Sequence, residues 1–239
     1  MKIVIFTTPT KHHTYFVNKI SEKFDIAAIV HETRKLKKPY ATGPFFDKEE
    51  DEHEELFFNS GIAKEYPDHL KKSLISVDSV NSKAAYEQVK ALEPDLIIVF
   101  GTGIIYPEII DIPKWGMINM HGGLTQYYRG LDSTLWAFYN KEFDKLGITI
   151  HYVESELDSG GIISQANLAV EKDDQIYHFR YKIAKKVTEM TLELLDKFKQ
   201  AGGPVEATAM NPKGEYFSAM DIKKKDLALD NFNQYKQER

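Results

Sequence analysis

Five apolar residues in a row, Leu96-Ile97-Ile98-Val99-Phe100, lie between a Pro-Asp pair and the first glycine of Gly101-Thr102-Gly103. The run is short and lacks polar alternation, so it reads as a strand covered on both faces. Strands of that kind belong to parallel sheets, whose crossover helices pack on either side. Residues 3–6 form a second such run. "HHTYFVNKISEKF" follows, with Tyr15, Phe16, Val17 and Ile20 on one helical face, and then "DIAAIV" (25–30) as a second strand. Strand, helix and strand at this spacing make a right-handed crossover unit.

The rest of the chain extends the pattern. Residues 33–73, with a basic run, Pro39, Gly43, Pro44 and an acidic block, read as an insertion holding one or two short helices. "SLISV" (73–77) is a strand, and "NSKAAYEQVKALE" (81–93) is a helix capped by Asn81 or Ser82. "GMINM" (116–120) is a further strand, and "STLWAFYNKEF" is a helix capped by Asp132 or Ser133. "LGITIHYV" and "GIISQANLAV" flank "ESELDSGG" as an antiparallel unit. Ile176, Phe179, Ile183, Val187, Met190, Leu194 and Phe198 mark the core stripe of the longest helix, which Gly202, Gly203 and Pro204 stop. "KGEYFSAM" is a small hairpin or strand before a charged, poorly periodic tail. The expected architecture is α/β, a Rossmann-like, mostly parallel twisted sheet with helices on both faces. Its main domain is 1–203, and 204–239 form a short C-terminal extension.

Composition narrows the function classes. The net charge of -5 is the wrong sign for a large nucleic-acid-binding face. No run approaches a membrane span, and "MKIVIFTTPT" reads as a first strand with no cleavage site behind it. With no cysteine, thiolate and disulfide chemistry are excluded, and a cytoplasmic location is the expectation. The block "DKEEDEHEE" (47–55) reads as a solvated helix face or loop, and no metal site is expected.

Chemistry concentrates in "GMINMHGG" (116–123). Period-two spacing puts Asn119 and His121 on one face of a strand that glycines terminate. Buried polar groups must be paired, so the two are either a structural hydrogen-bonding device or a working pair. Ligands of open parallel sheets bind beyond the carboxyl ends of the strands. Topology brings "FGTGIIYPEII", "NMHGG" and "ELDSGG" to that end. An asparagine NH₂ and a protonated imidazole can donate to a developing oxyanion, and a carboxylate beside the imidazole holds its orientation and charge.

"NMHGGLTQYYRG" followed by "GITIHYVESELDSGGII" resembles the folate-dependent formyltransferases, the family of the glycinamide ribonucleotide, methionyl-tRNA and amino-sugar enzymes. The matching positions are Asn119, His121, Tyr128-Arg129-Gly130 and Leu157-Asp158-Ser159-Gly160, and "PDLIIVFGTGIIYPEII" is similar to the family's folate-lining loop. The resemblance implies transfer of a formyl group from 10-formyltetrahydrofolate to an amine. Asn119 and His121 would stabilise the oxyanion, and Asp158 would orient and charge His121. The pterin would lie against Gly103, Ile104, Ile105, Glu156, Leu157 and Gly160.

Departures from the family pattern bear on the acceptor. "TTPTKHHTYF" has no glycine with which to cradle a phosphate, although Lys11 and His12 are candidates to meet an anionic acceptor. Few residues remain after Pro204 for a basic RNA-binding domain. The resemblance is therefore closest to the amino-sugar branch, acting on a nucleotide-linked amino sugar for surface polysaccharide. Tyr127, Tyr128, Arg129 and Trp136 are the expected contacts to sugar, base and pyrophosphate. Glycinamide ribonucleotide as acceptor, hydrolysis of the formyl donor, and a silent binding module are the alternatives. A homodimer is compatible with the sequence.

Overall fold

The computed structural model describes residues 1–34, 40–43, 45–58 and 65–238, so part of the expected insertion at 33–73 lies outside the described residues. Strands β1 (Ile3–Thr7), β2 (Ile26–Glu32), β3 (Leu74–Val77), β4 (Leu96–Phe100) and β5 (Met117–His121) are all parallel. A three-residue β6 (Tyr128–Gly130) stands apart from this sheet, which β7 (Gly147–Tyr152) and β8 (Ile162–Asn167) complete in antiparallel pairing. The seven-stranded order is β3-β2-β1-β4-β5-β7-β8. Strand order reverses between β1 and β4, which opens a crevice at the carboxyl ends of the central strands.

Helices α1 (Lys11–Ser21), α2 (Asp47–Phe57), α3 (Asp68–Lys71), α4 (Lys83–Ala91), α5 (Pro107–Ile110), α6 (Ser133–Tyr139) and α7 (His178–Ala201) surround the sheet. On one face, Ile3, Ile5, Ile98 and Ile118 pack against Phe16, Val17 and Ile20 of α1 and Val187, Leu194 and Phe198 of α7. On the other, Val4, Phe6, Ile97 and Val99 meet Ala85 and Val89 of α4 and Ile109 of α5. Both faces of β1 and β4 are buried, which is why their sequences show no alternation. Each such side chain contributes roughly 1.5–3 kcal/mol of transfer free energy. The stripe expected on α7 is the packed one, and the helix ends at Gly202 in the left-handed region at φ 61°.

The structure corrects two local expectations and decides between the alternatives of a third. The tail is not aperiodic: after strand β9 (Glu215–Phe217), which pairs in parallel with β6, it forms α8 (Ile222–Gln237). Ala228 and Phe232 join the cluster of Tyr128 and Phe138, with Leu229 against it and Tyr235 stacked on Phe143, a stripe too thin to stand out in a charged segment. Asp132 does not cap α6 with its side chain: it sits at φ 55° and accepts instead from the Met220 N–H at 2.8 Å. Ser82, rather than Asn81, caps α4, accepting from Ala85 N at 3.2 Å.

The acidic block forms α2 as one of the two readings anticipated, but its face is not simply solvated. Arg180 of α7 reaches Glu54, Glu50 and Asp51 at 2.7 Å each, and Glu54 is buried. Gly130 closes the β6–β9 contact. At φ +93° a Cβ there would lie 2.1 Å from the Phe217 carbonyl oxygen, so no larger residue fits.

Candidate active site

Asn119 and His121 leave β5 on one face because side chains alternate along a strand. The register places Asn119 opposite His151 of β7 and His121 opposite Thr149. The loop after β7 then returns Asp158 to the same point, with its backbone at φ 48°, an uncommon conformation for a residue with a side chain. The Asn119 amide donates to Asp158 Oδ1 at 3.0 Å and faces His151 Nε2 at 3.2 Å. Asp158 Oδ2 accepts from the Gly130 N–H at 2.9 Å and lies 3.5 Å from His121 Nδ1. Four side chains from three segments of the chain, Asn119 and His121, His151, and Asp158, thus share one small polar cluster.

The partners fix the proton positions. His151 Nδ1 faces the Tyr152 carbonyl at 2.7 Å, and a carbonyl only accepts, so Nδ1 carries the proton. Its Nε2 is then able to accept from Asn119. His121 Nε2 likewise faces the Tyr128 carbonyl at 2.9 Å, with Ser133 Oγ at 3.2 Å, so Nε2 carries a proton. Its Nδ1 faces a carboxylate, an arrangement that a second proton satisfies. Burial pushes the Asp158 carboxyl up, but His121, His151 and the Gly130 N–H outweigh it and hold it well below the usual carboxylate range. Asp158 is therefore a buried, ionised anchor.

Two cavities meet at this cluster. The first, about 210 Å³, is walled by residues 99–105, Asn119, His151, 153–155, Leu157 and Asp158. The second, about 420 Å³, is walled by Phe45, Phe46, Asp47, Glu50, Ser133, Phe179, Arg180 and Lys225, among others. His121, Gly130 and Leu131 line both. A reactant in each would meet at the imidazole.

Of the expected folate contacts, Gly103, Ile104, Ile105 and Leu157 line the first cavity, and Glu156 and Gly160 line neither. Glu156 is bound outside by Lys213 at 2.6 Å and Arg129 at 2.8 Å, which hold its carboxyl below the usual range. Gly160 is needed for packing, since a Cβ would fall 2.0 Å from the Tyr152 carbonyl oxygen.

None of the six expected acceptor contacts lines either cavity, and the structure gives them partners elsewhere. Lys11 pairs with Glu55 at 3.1 Å and His12 Nδ1 with Glu54 at 3.2 Å, so both dock α2. Tyr128 is buried and donates to Glu142, while Tyr127 is exposed beside Lys145. Buried Arg129 donates to the Gly214 and Leu157 carbonyls at 2.8 and 3.0 Å, bracing the loop that carries Asp158. Trp136 donates to the Ser218 carbonyl at 2.9 Å and packs on Phe217. Aromatic and cationic residues beside a catalytic motif were consumed by its scaffold.

Sequence reasoning missed His151 and the wall of the second cavity. His151 carried a signal: in "GITIHY" the polar Thr149 and His151 alternate with buried Ile148 and Ile150, as Asn119 and His121 do with their neighbours. Arg180 and Lys225 carried none, because only the packing of α7 and α8 brings them to α2 and to Thr42 and Phe45.

Comparison with known proteins agrees with this geometry. The model of the "Formyl transferase" family matches residues 1–195. The methionyl-tRNA formyltransferase of Fusobacterium nucleatum is 28% identical over 231 residues, which cover 96% of this chain and 68% of that one. Another, from Thermotoga maritima, is 31% identical over 157 residues, and there the match covers 65% of this chain and 49% of the relative. The chain thus spans about half to two thirds of the length of these relatives. Among solved structures, a 4-N formyltransferase from Francisella tularensis superposes with a TM-score of 0.65 at 17% identity, covering 97% of this chain and 87% of that one. With the family match extending over most of its length, the chain belongs to the formyl transferase family, whose members take their formyl group from a tetrahydrofolate carrier.

Proposed function

We propose that this protein transfers a formyl group from 10-formyltetrahydrofolate to the amine of a nucleotide-linked amino sugar. The observation that carries the proposal is the meeting of Asn119, His121 and Asp158 in one polar cluster, with Asn119 and Asp158 on the first cavity and His121 on the wall that two cavities share. The carrier supplies an electrophilic formyl carbon. The first cavity suits it: backbone of 101–105 offers hydrogen-bonding groups to a planar heterocycle, and Ile104, Ile105 and Leu157 offer apolar contact.

The residues act in concert. The Asn119 amide can exchange its bond to His151 for one to the formyl oxygen as negative charge builds there, a stronger bond in a water-poor site. His121 sits where both cavities open, and Asp158 fixes its Nδ1. The acceptor amine forms a C–N bond as the bond from the formyl carbon to the carrier nitrogen breaks. His121, held charged by Asp158, gives a proton to the leaving nitrogen and recovers the one that the amine loses.

A sugar acceptor is supported by the fold neighbours. The formyltransferase PseJ of Anoxybacillus kamchatkensis, solved with UDP-4,6-dideoxy-4-formamido-L-AltNAc and tetrahydrofolate, superposes with a TM-score of 0.54 at 20% identity, covering 95% of this chain and 88% of that one. The second reading, methionyl-tRNA as acceptor, is favoured by the curated relatives. Against it stands the net charge of -5, the wrong sign for a large RNA-binding face. Tetrahydrofolate release is to be followed with a panel of nucleotide-linked 3- and 4-amino sugars, with methionyl-tRNA and glycinamide ribonucleotide as competing arms. Turnover on the sugars alone supports the proposal. Turnover on another arm reassigns the acceptor, and formate release without amine makes the protein a hydrolase.

A further inference from the structure

The loop that faces the first cavity, 101–106, has no regular hydrogen bonding of its own between β4 and α5. Two side chains from other elements hold it. Glu32, the last residue of β2, is buried, and its Oε2 accepts from the Gly103 N–H at 2.8 Å. Its Oε1 accepts from the buried Val80 N–H at 3.2 Å. The neighbouring Asn81 grips the same loop from the other side of that linkage. Its Nδ2 donates to the Ile104 carbonyl at 2.7 Å, and its Oδ1 accepts from the Tyr106 N–H at 2.8 Å. Four backbone groups that strand pairing would otherwise satisfy are thus held by one carboxylate and one amide. Neither Glu32 nor Asn81 lines either cavity.

We propose that Glu32 and Asn81 are positioning residues, a clamp that fixes the 101–106 backbone in the shape that receives the planar heterocycle of the formyl donor. The inference rests on the functional reading of the first cavity. The physical reason is preorganisation: a loop already held in its bound shape does not pay ordering entropy when the ligand arrives. The chemistry of each grip is specific. A carboxylate offers acceptors to two N–H groups, whereas a glutamine presents an NH₂ to one of them and leaves it unpaired. Asn81 needs both a donor and an acceptor, which neither aspartate nor alanine supplies.

The test uses the full chain with Glu32→Gln and, because Asn81 is partly exposed and less apt to abolish folding, Asn81→Ala. Two readouts are needed. Amide hydrogen exchange without ligand is expected to speed up at least tenfold at Gly103 and Tyr106, with strands β1 and β4 unaffected. In steady-state transfer, the KM for 10-formyltetrahydrofolate is expected to rise at least tenfold, the acceptor KM less than threefold, and kcat to fall less than the donor KM rises. Wild-type binding of tetrahydrofolate by calorimetry separates the two propositions. If the wild type does not bind it, the functional reading fails, and the exchange experiment still decides whether the clamp holds the loop. The clamp itself is overturned by unchanged exchange in the loop, or by donor and acceptor KM rising together.

Discussion

The two cavities beside His121 are built differently. The first is drawn from the ends of core strands and the loops that follow them, 101–105 after β4 and 153–155, Leu157 and Asp158 after β7. The second draws on segments packed around that core: Phe45, Phe46 and Glu50 from the segment around α2, Arg180 from α7 and Lys225 from α8. A wall set by core strands is tied to the fold and suits a reactant that does not vary. A wall of peripheral segments is free to change and suits the reactant that sets specificity. The contrast teaches that, in the proposed reaction, the donor is read by the fold and the acceptor by segments added to it.

Asp158→Asn strikes the junction of both cavities and carries the largest expected effect. It removes the charge that anchors His121 and turns one oxygen facing Asn119 or Gly130 into a donor. The expected loss in kcat is about a thousandfold, or about 4 kcal/mol of barrier, with every acceptor alike. Tetrahydrofolate affinity, measured by calorimetry, should persist. The same variant tests the electrostatics. The folded carboxyl titrates below its unfolded value of about 3.9, so its stabilising contribution is complete above that pH and fades as pH falls through the folded value. Thermal melts of the wild type should weaken from about pH 4 downward, and that component should be missing in the variant.

Arg180→Met breaks the second wall alone. It takes the guanidinium from the neighbouring Glu50 and leaves the buried Glu54 with His12 as its basic partner. Burial already pushes the Glu50 carboxyl up to about 7, so losing Arg180 compounds the cost. The expected destabilisation is about 2 kcal/mol, less than a fully buried pair because the arginine is partly exposed. Its acceptor KM should rise roughly tenfold or more, as about 1.4 kcal/mol of lost binding implies, and its donor KM far less. Equal changes in both would erase the distinction between the walls.

The smallest effect sharpens the role of Tyr128. Tyr128→Phe removes the hydroxyl that donates to Glu142 and accepts from Asn140. Denaturant unfolding should register a loss of about 1 kcal/mol, and neither KM should move. A raised acceptor KM would return Tyr128 to the binding surface.

How much was legible follows from the range of each interaction. The parallel strands, α1 and α7 were readable because apolar periodicity is local, and Asn119 with His121 was readable because two residues on one strand share a face. Asp158 came from the motif that the family resemblance carries. The role of Arg129 was not readable: before a glycine in an active-site loop, an arginine that binds pyrophosphate and one that braces a carbonyl look alike. Helix α8 hid for a related reason, since Ala228 and Phe232 bury in a cluster with partners far earlier in the chain, among them Phe138 and Phe179.

By itself, then, the order of residues determined the layered α/β scaffold and the identity of the polar group at its carboxyl end, because strand alternation and helical periodicity act over a few residues. Only the tertiary structure decided that His151 joins that group, that Glu32 and Asn81 hold the loop beside it, and that α2, α7 and α8 wall the second cavity. Those outcomes depend on which distant surfaces pack together, and a charged side chain carries no mark of the partner it will find.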